Sequence, residues 1–229
     1  MNDLCLHKII QDLDTSNTDK NHAIEDTILE SLWSGSHLKD AFQWDHFDPH
    51  TAKIGNALRN TYTSHGIYGI PCIEAIDDIK KAVPEHTILE VMGGTGYLSH
   101  WLRIHGNMDV ICTGLQLKDW QFSKAKQWVP VELLKASEAV LKYPDRTVLV
   151  SWIPCGGCDD NDDILMLQNM APGQQLILIG EDTGGCTGSE WFFDTLNDNF
   201  EECGSGRWVS ARYIHDTMRF FKKNKRDEK

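Results

Sequence analysis

The stretch from Thr87 to Gly106, TILEVMGGTGYLSHWLRIHG, constrains this chain more than any other. Ile88, Leu89, Val91 and Met92 form an apolar run of strand length, suited to a strand buried on both faces. Gly93, Gly94 and Gly96 then let the backbone turn sharply. Tyr97, Leu98, Trp101 and Leu102 recur at helical spacing, and Gly106 stands where a left-handed C-terminal cap would end that helix. The pattern predicts strand, glycine turn, helix. Such a turn brings bare backbone N–H groups and the positive end of a helix dipole up to a ligand, as nucleotide-type cofactors require.

The rest of the chain repeats this alternation. Asp109 to Thr113, Thr147 to Ile153 and Leu176 to Ile179 read as further buried strands, with a short one around Val129 to Leu133. Helices are expected from Lys135 to Lys142, through Ile164, Leu165 and Leu167, and from Glu190 to Leu196. Phe200 to Cys203 and Thr217 to Lys222 are expected to pair as an antiparallel edge. Upstream, residues 1–66 read as a helical N-terminal extension, with one helix from Ala23 to Trp33 and another opened by Asp48-Pro49 and running to Gly66. A helix from Pro71, stopped by Pro84, leads into the strand at Thr87. The predicted fold is α/β, a doubly wound, mostly parallel Rossmann-like sheet over residues 67–229 with a late antiparallel pair. Ligands of such sheets sit at the carboxyl ends of the strands.

At 229 residues the chain has room for one such domain and an extra segment. A formal charge of −12 makes the surface repel polyphosphates, which disfavours an extended nucleic-acid groove. The one dense basic run, Lys222, Lys223, Lys225 and Arg226, reads as a solubilising tail. No apolar stretch suits a signal peptide or approaches the ~18 residues of a membrane span, so the expectation is a soluble, cytoplasmic protein. Seven scattered cysteines, an odd number, do not suggest a secreted disulfide framework and are expected as thiols.

The segment Glu90-Val91-Met92-Gly93-Gly94-Thr95-Gly96 resembles motif I of the class I S-adenosylmethionine (SAM) dependent methyltransferases, in which an acidic residue precedes a Gly-x-Gly-x-Gly turn. Glu90 matches the acid and Gly94 and Gly96 the second and third glycines, while Met92 stands in place of the first. Ser151-Trp152-Ile153-Pro154-Cys155 lies where amino-methylating enzymes carry an Asp/Asn-Pro-Pro-aromatic motif. It more closely resembles the Trp-Pro-Pro-Tyr version of a sparsely described group of methyltransferase-like proteins, which also carry Gly-Gly-Cys-Thr-Gly after the next strand. Gly184-Gly185-Cys186-Thr187-Gly188 repeats that stretch, and Tyr68-Gly69-Ile70-Pro71 resembles the group's segment before motif I. The resemblance runs from Tyr68 to Lys222.

It implies SAM as cofactor, held by Tyr68, Glu90, Gly93, Gly94, Thr95 and Gly96, and an acceptor, a small molecule or a protein, facing Trp152, Pro154, Cys155, Gly184, Gly185, Cys186 and Thr187. The family's ribose-binding carboxylate falls here at about Gly114, and Gln116 is a nearby amide able to bond a hydroxyl instead. Alternatives stay open at each place. Trp152 suits a core position, and the GGCTG loop a turn that needs positive φ. Met92 and Gly114 favour a methyltransferase fold that has lost catalysis and serves as a binding or regulatory module. A third reading keeps SAM but changes the chemistry.

Cys155-Gly-Gly-Cys158 invites a metal or redox reading, but zinc sites commonly use two such pairs and this chain has one. Asp159 to Asp163 lacks the glycine and terminal glutamate of a calcium loop and reads as helix-capping carboxylates. His100 and His215 are candidate general bases, with surface histidine as the alternative.

Overall fold

The structure, a computed structural model, describes residue 6 and residues 18–42, 49–115, 125–211 and 213–225. Helices α1 (Thr18–Leu29), α2 (Gly35–Phe42), α3 (Pro49–Ser64) and α4 (Ile73–Ala82) precede β1 (Thr87–Val91) and α5 (Tyr97–Ile104). Then follow β2 (Asp109–Gly114), β3 (Val131–Leu133), α6 (Ala136–Lys142), β4 (Thr147–Ser151), α7 (Asp162–Asn169), β5 (Gln175–Gly180), α8 (Glu190–Asn199), β6 (Phe200–Gly206) and β7 (Thr217–Lys223). The strands form one sheet in the order β3-β2-β1-β4-β5-β7-β6. The first five are parallel, and β7 runs antiparallel to both β5 and β6. This is the doubly wound, mostly parallel Rossmann-like α/β fold with a late antiparallel pair that the sequence predicts. The order reverses between β1 and β4, and a crevice opens outside their carboxyl ends at such a switch point.

Side chains alternate across the strands and feed a core on each face. Ile88, Val110, Leu149 and Ile177 pack on one face with α4 and α5, whereas Leu89, Val91, Val148, Val150 and Leu178 pack on the other with α6, α7 and α8. The N-terminal helices belong to the first core: Ile28, Leu29, Leu38, Leu58 and Tyr62 are buried there beside Tyr97. Burying each such side chain stabilises the fold by roughly 1.5–3 kcal/mol, which is why a polar stretch with few apolar residues still docks firmly. Polar links fix its position. Ile73 N donates to Trp33 O at 2.9 Å and Gly35 N to Glu74 Oε2 at 2.6 Å.

Three local expectations need correction. The helix expected to reach Trp33 ends at Leu29. Its last carbonyls find tertiary donors instead, Ile28 O from Tyr62 Oη and Trp33 Nε1, and Leu29 O from Tyr97 Oη. The left-handed residue after α5 is Asn107, at φ 52°, and not Gly106. Gly106 is needed for space, because a Cβ there would lie 2.6 Å from Leu102 O. Asp162, expected to cap its own helix, caps the start of α6 by accepting from Ala136 N at 2.8 Å and Ser137 N at 3.1 Å. Among the described residues, no helix is long and apolar enough to cross a membrane.

Candidate functional site

The glycine turn after β1 is built by crowding. Gly93 N donates to Thr113 O at 2.9 Å and Gly96 N to Gly93 O at 2.7 Å, which folds the turn back over β2. A Cβ on Gly93 would meet Cys112 Sγ at 2.5 Å, and one on Gly96 would meet Val129 Cγ2 at 2.5 Å. Gly94 and Gly96 also take φ of 55° and 73°, in the left-handed region that glycine enters freely. Met92 takes φ 53° at the position of the family's first glycine. Met92 thus sits in the left-handed region that glycine enters freely, and its thioether accepts the Cys158 thiol at 3.6 Å.

Gly96 is the N-cap of α5 and has no side chain to satisfy the first amides. Glu90 supplies that function from β1: its Oε2 accepts Ser99 N at 3.1 Å and also Ser99 Oγ. Glu90 is buried, and burial pushes its carboxyl up to about 7 against the opposing hydrogen bonds of Ser99 and Cys112. Thr95 is buried and its carbonyl accepts Trp128 N at 2.9 Å, so it shapes the turn through its backbone.

Above the turn lies a cavity of about 60 Å³ lined by Tyr68, Glu90, Met92, Gly93, Gly94, Thr95, Ser151 and Trp152, among others. Tyr68 and Trp152 stack there, with ring centroids 5.8 Å apart and planes at 27°. Trp152 takes φ 57° and is fixed twice, by its N–H to Ile179 O at 2.8 Å and by Nε1 to Asp216 Oδ2 at 3.2 Å. Trp208 Nε1 donates to the same Asp216 oxygen at 2.9 Å. Asp216 is buried, its Oδ1 has no partner among the described residues, and burial raises its carboxyl despite the bonds from Trp208, Ser210 and Trp152.

The loops after β4 and β5 adjoin as the motifs imply. Gly156 N donates to Gly188 O at 3.0 Å and Gly188 N to Ile153 O at 3.2 Å. Pro154, Cys155, Gly184, Gly185 and Cys186 are exposed on this rim. The loop's inner pin is Glu181. It accepts Cys186 N at 2.7 Å and His215 N at 2.9 Å. Burial acts to raise its carboxyl, but these backbone N–H groups outweigh it and hold Glu181 below the usual range. Thr187 is buried, with its hydroxyl on Glu181 O at 2.6 Å, so it braces the loop rather than facing an acceptor. A Cβ on Gly185 would lie 2.5 Å from Glu181 Cβ, whereas one on Gly184, at φ 86°, would meet nothing within 4 Å.

The cysteines of the CGGC segment face different surroundings. Cys155 is exposed, while Cys158 turns inward to Met92 and burial pushes its thiol up to about 12. Among the described residues, no cluster of His, Cys, Asp or Glu is placed to hold a metal ion. His100 lies away from the cavity lining, between Trp101 and Trp128 at 4.9 and 5.1 Å, with its pKa lowered by burial. His215 is exposed beyond Glu181. Gln116 lies outside the described residues. A Cβ on Gly114 would be 3.5 Å from Gly93 N and 3.7 Å from Gly94 N, so this position does face the glycine turn.

Sequence reasoning missed Arg59, Glu181, Trp208 and Asp216. None belongs to a local motif. Arg59, on α3, carries its guanidinium 5.6 Å from the Trp152 ring centroid.

No family model and no curated protein matches this chain. Solved structures similar to it include TrmN from Thermus thermophilus, at 12% identity and TM-score 0.49, covering 88% of this chain and 78% of that one. An rRNA methylase from Streptococcus thermophilus is similar at 11% identity and TM-score 0.40, covering 66% of this chain and 95% of that one. A SAM-dependent methyltransferase from Anabaena variabilis is similar at 12% identity and TM-score 0.41, covering 62% and 78% of the two chains.

Proposed function

We propose that this chain is a SAM-dependent methyltransferase whose acceptor is a small molecule or a protein. One observation carries the reading: the glycine turn after β1 and the Trp152 loop after β4 meet at the switch point, and the GGCTG loop adjoins them on one rim. The residues present fit the cofactor. Gly93 and Gly96 leave no room for a side chain, and α5 aims its amino end at the turn. Tyr68, Gly93, Gly94 and Thr95 would line its seat. When bound, SAM supplies a methyl group on a sulfonium, a good leaving group.

The chain then has mainly to align donor and acceptor and to keep water out, which is worth more than any single polar contact when the leaving group is good. The Tyr68–Trp152 stack offers a flat apolar wall for this, held rigid through Asp216. The test is calorimetric titration of the purified protein with SAM and S-adenosylhomocysteine, beside a folded Gly94→Arg variant. Micromolar binding, lost in the variant, is the expected result; a folded wild type that ignores millimolar ligand would end the proposal. Gly114 favours a second reading, a binding module of methyltransferase fold without catalysis, which predicts ligand binding with no methyl transfer to any acceptor.

A further inference from the structure

Beside the cavity, Arg59 has no salt-bridge partner among the described residues. The described arginines other than Arg59 are all anchored. Arg103 donates to Val110 O at 2.6 Å, Arg146 pairs with Asp109, Arg207 holds Asp78 at 2.7 Å and Arg219 holds Asp182 at 3.2 Å. Arg59 makes no ion pair or side-chain hydrogen bond to any described residue, and its guanidinium lies against Trp152 at 5.6 Å from the ring centroid. It is half-buried, and the Trp152 ring it lies over is part of the cavity lining. Its charge reaches the Tyr68 hydroxyl, the Asp216 carboxyl and the Cys186 thiol, pulling each down against the burial or the Glu181 charge that raises it. One guanidinium thus lies within electrostatic reach of Tyr68, Asp216 and the GGCTG loop. In a chain of formal charge −12, with carboxylates available to every other described arginine or carbonyls in their place, this position is filled by the ring of Trp152 instead.

Arg59 lies over the Trp152 ring, and a guanidinium carries five N–H donors in a planar fork, the geometry that grips a carboxylate or a phosphate through two parallel bonds. We infer that Arg59 receives an anionic group, a carboxylate or a phosphate, on the molecule that occupies this cleft. The inference rests on the methyl-transfer reading of the same cleft and narrows its acceptor. Arg59 touches Trp152, which follows β4, and not the glycine turn, which follows β1. The anion therefore belongs to the acceptor: a flat acid lying along the Tyr68–Trp152 wall with its charge on Arg59.

The experiment titrates the full-length wild type, Arg59→Gln and Arg59→Lys, each verified by circular dichroism. The probes are benzoate, its neutral analogue benzamide, inorganic phosphate, S-adenosylhomocysteine and 5′-methylthioadenosine, the last sharing the nucleoside but lacking the amino-acid group. The expected result is that benzoate or phosphate binding falls tenfold or more in Arg59→Gln and partly recovers in Arg59→Lys, with benzamide and both nucleosides unchanged. If S-adenosylhomocysteine weakens tenfold and 5′-methylthioadenosine does not, Arg59 still receives a carboxylate, but the cofactor's. Equal binding of every anionic probe to wild type and Arg59→Gln, or no anionic probe bound by wild type, would overturn the inference and leave Arg59 as a packing residue. A wild type that ignores both nucleosides yet binds benzoate through Arg59 would refute the methyltransferase reading alone.

Discussion

Glu90 caps the helix beyond the glycine turn: its Oε2 accepts Ser99 N at 3.1 Å, doing from a strand what Gly96, the N-cap, cannot do with a hydrogen for a side chain. The acid of the motif is thereby part of the turn's scaffold, whatever it also does for a ligand. The bond fixes the direction in which α5 presents its free amides.

That carboxyl should make stability depend on pH. Burial raises it to about 7 from an ordinary value of 4.5, so between those values the native state holds a proton that the unfolded chain has released. Stability is then fullest below about pH 4.5 and is lost as pH rises through 7, by about 3 kcal/mol in all. Glu90→Gln keeps an oxygen for Ser99 and removes the titration. Urea unfolding from pH 4.5 to 8 should show wild type losing roughly 3 kcal/mol more than the variant. Parallel curves would sink the assignment.

Two glycines separate strain from crowding. Gly96→Ala places a Cβ 2.5 Å from Val129 Cγ2 at φ 73°, whereas Gly184→Ala meets nothing within 4 Å at φ 86°. Left-handed strain alone costs about 1–2 kcal/mol, and overpacking adds about 1–3. Chemical denaturation should rank Gly96→Ala as the more destabilised by at least 1 kcal/mol, roughly the lower bound of the overpacking cost. Equal losses would show that Val129 yields freely.

Gly114 is open to repair. Its Cβ position clears every neighbour by at least 3.5 Å and lies beside the amides of the glycine turn. Gly114→Asp should therefore fold, and on the SAM reading it supplies the missing ribose acceptor. A hydrogen bond to a charged group contributes about 1.5–3 kcal/mol, so affinity for S-adenosylhomocysteine should rise about tenfold or more. Unchanged or weaker binding by a folded variant would mean that no ribose lies there.

Asp216 ties Trp152 and Trp208 to a single oxygen. Asp216→Ala removes the one acceptor of two indole hydrogen bonds, each worth about 1 kcal/mol, and frees the rim aromatics. Tryptophan emission should shift to the red and the unfolding free energy drop by about 2 kcal/mol. Unmoved emission would show that packing alone holds the two rings.

The centre of the sheet was legible because β1, β2, β4 and β5 are short, largely apolar runs that alternate with segments of helical spacing. The rim loops were legible by resemblance. What escaped were contacts between distant segments. Asp216 acts on Trp152 from 64 residues away, and Glu181 reaches His215 across 34. Arg59 sits on a polar helix whose pattern identifies a buried face and says nothing of what its other side meets. Thr187, assigned to the acceptor, looks functional by its motif and proves to be a brace, since the bond it makes is to the carbonyl of Glu181. Gly106 misled because glycine after a helix usually means a left-handed turn, and here it means lack of space.

The hydrogen bond from Tyr97 to Leu29 spans 68 positions, and the helices that precede it share one core with strands as late as β7. During synthesis those first helices leave the ribosome long before the surface that receives them exists. Loop-closure entropy has to be met before such non-local contacts contribute, and the N-terminal segment cannot complete its docking until the strands that share its core have formed. Arg59 travels with it. The guanidinium beside Trp152 is therefore only as well placed as the docking of the N-terminal helices on the late strands.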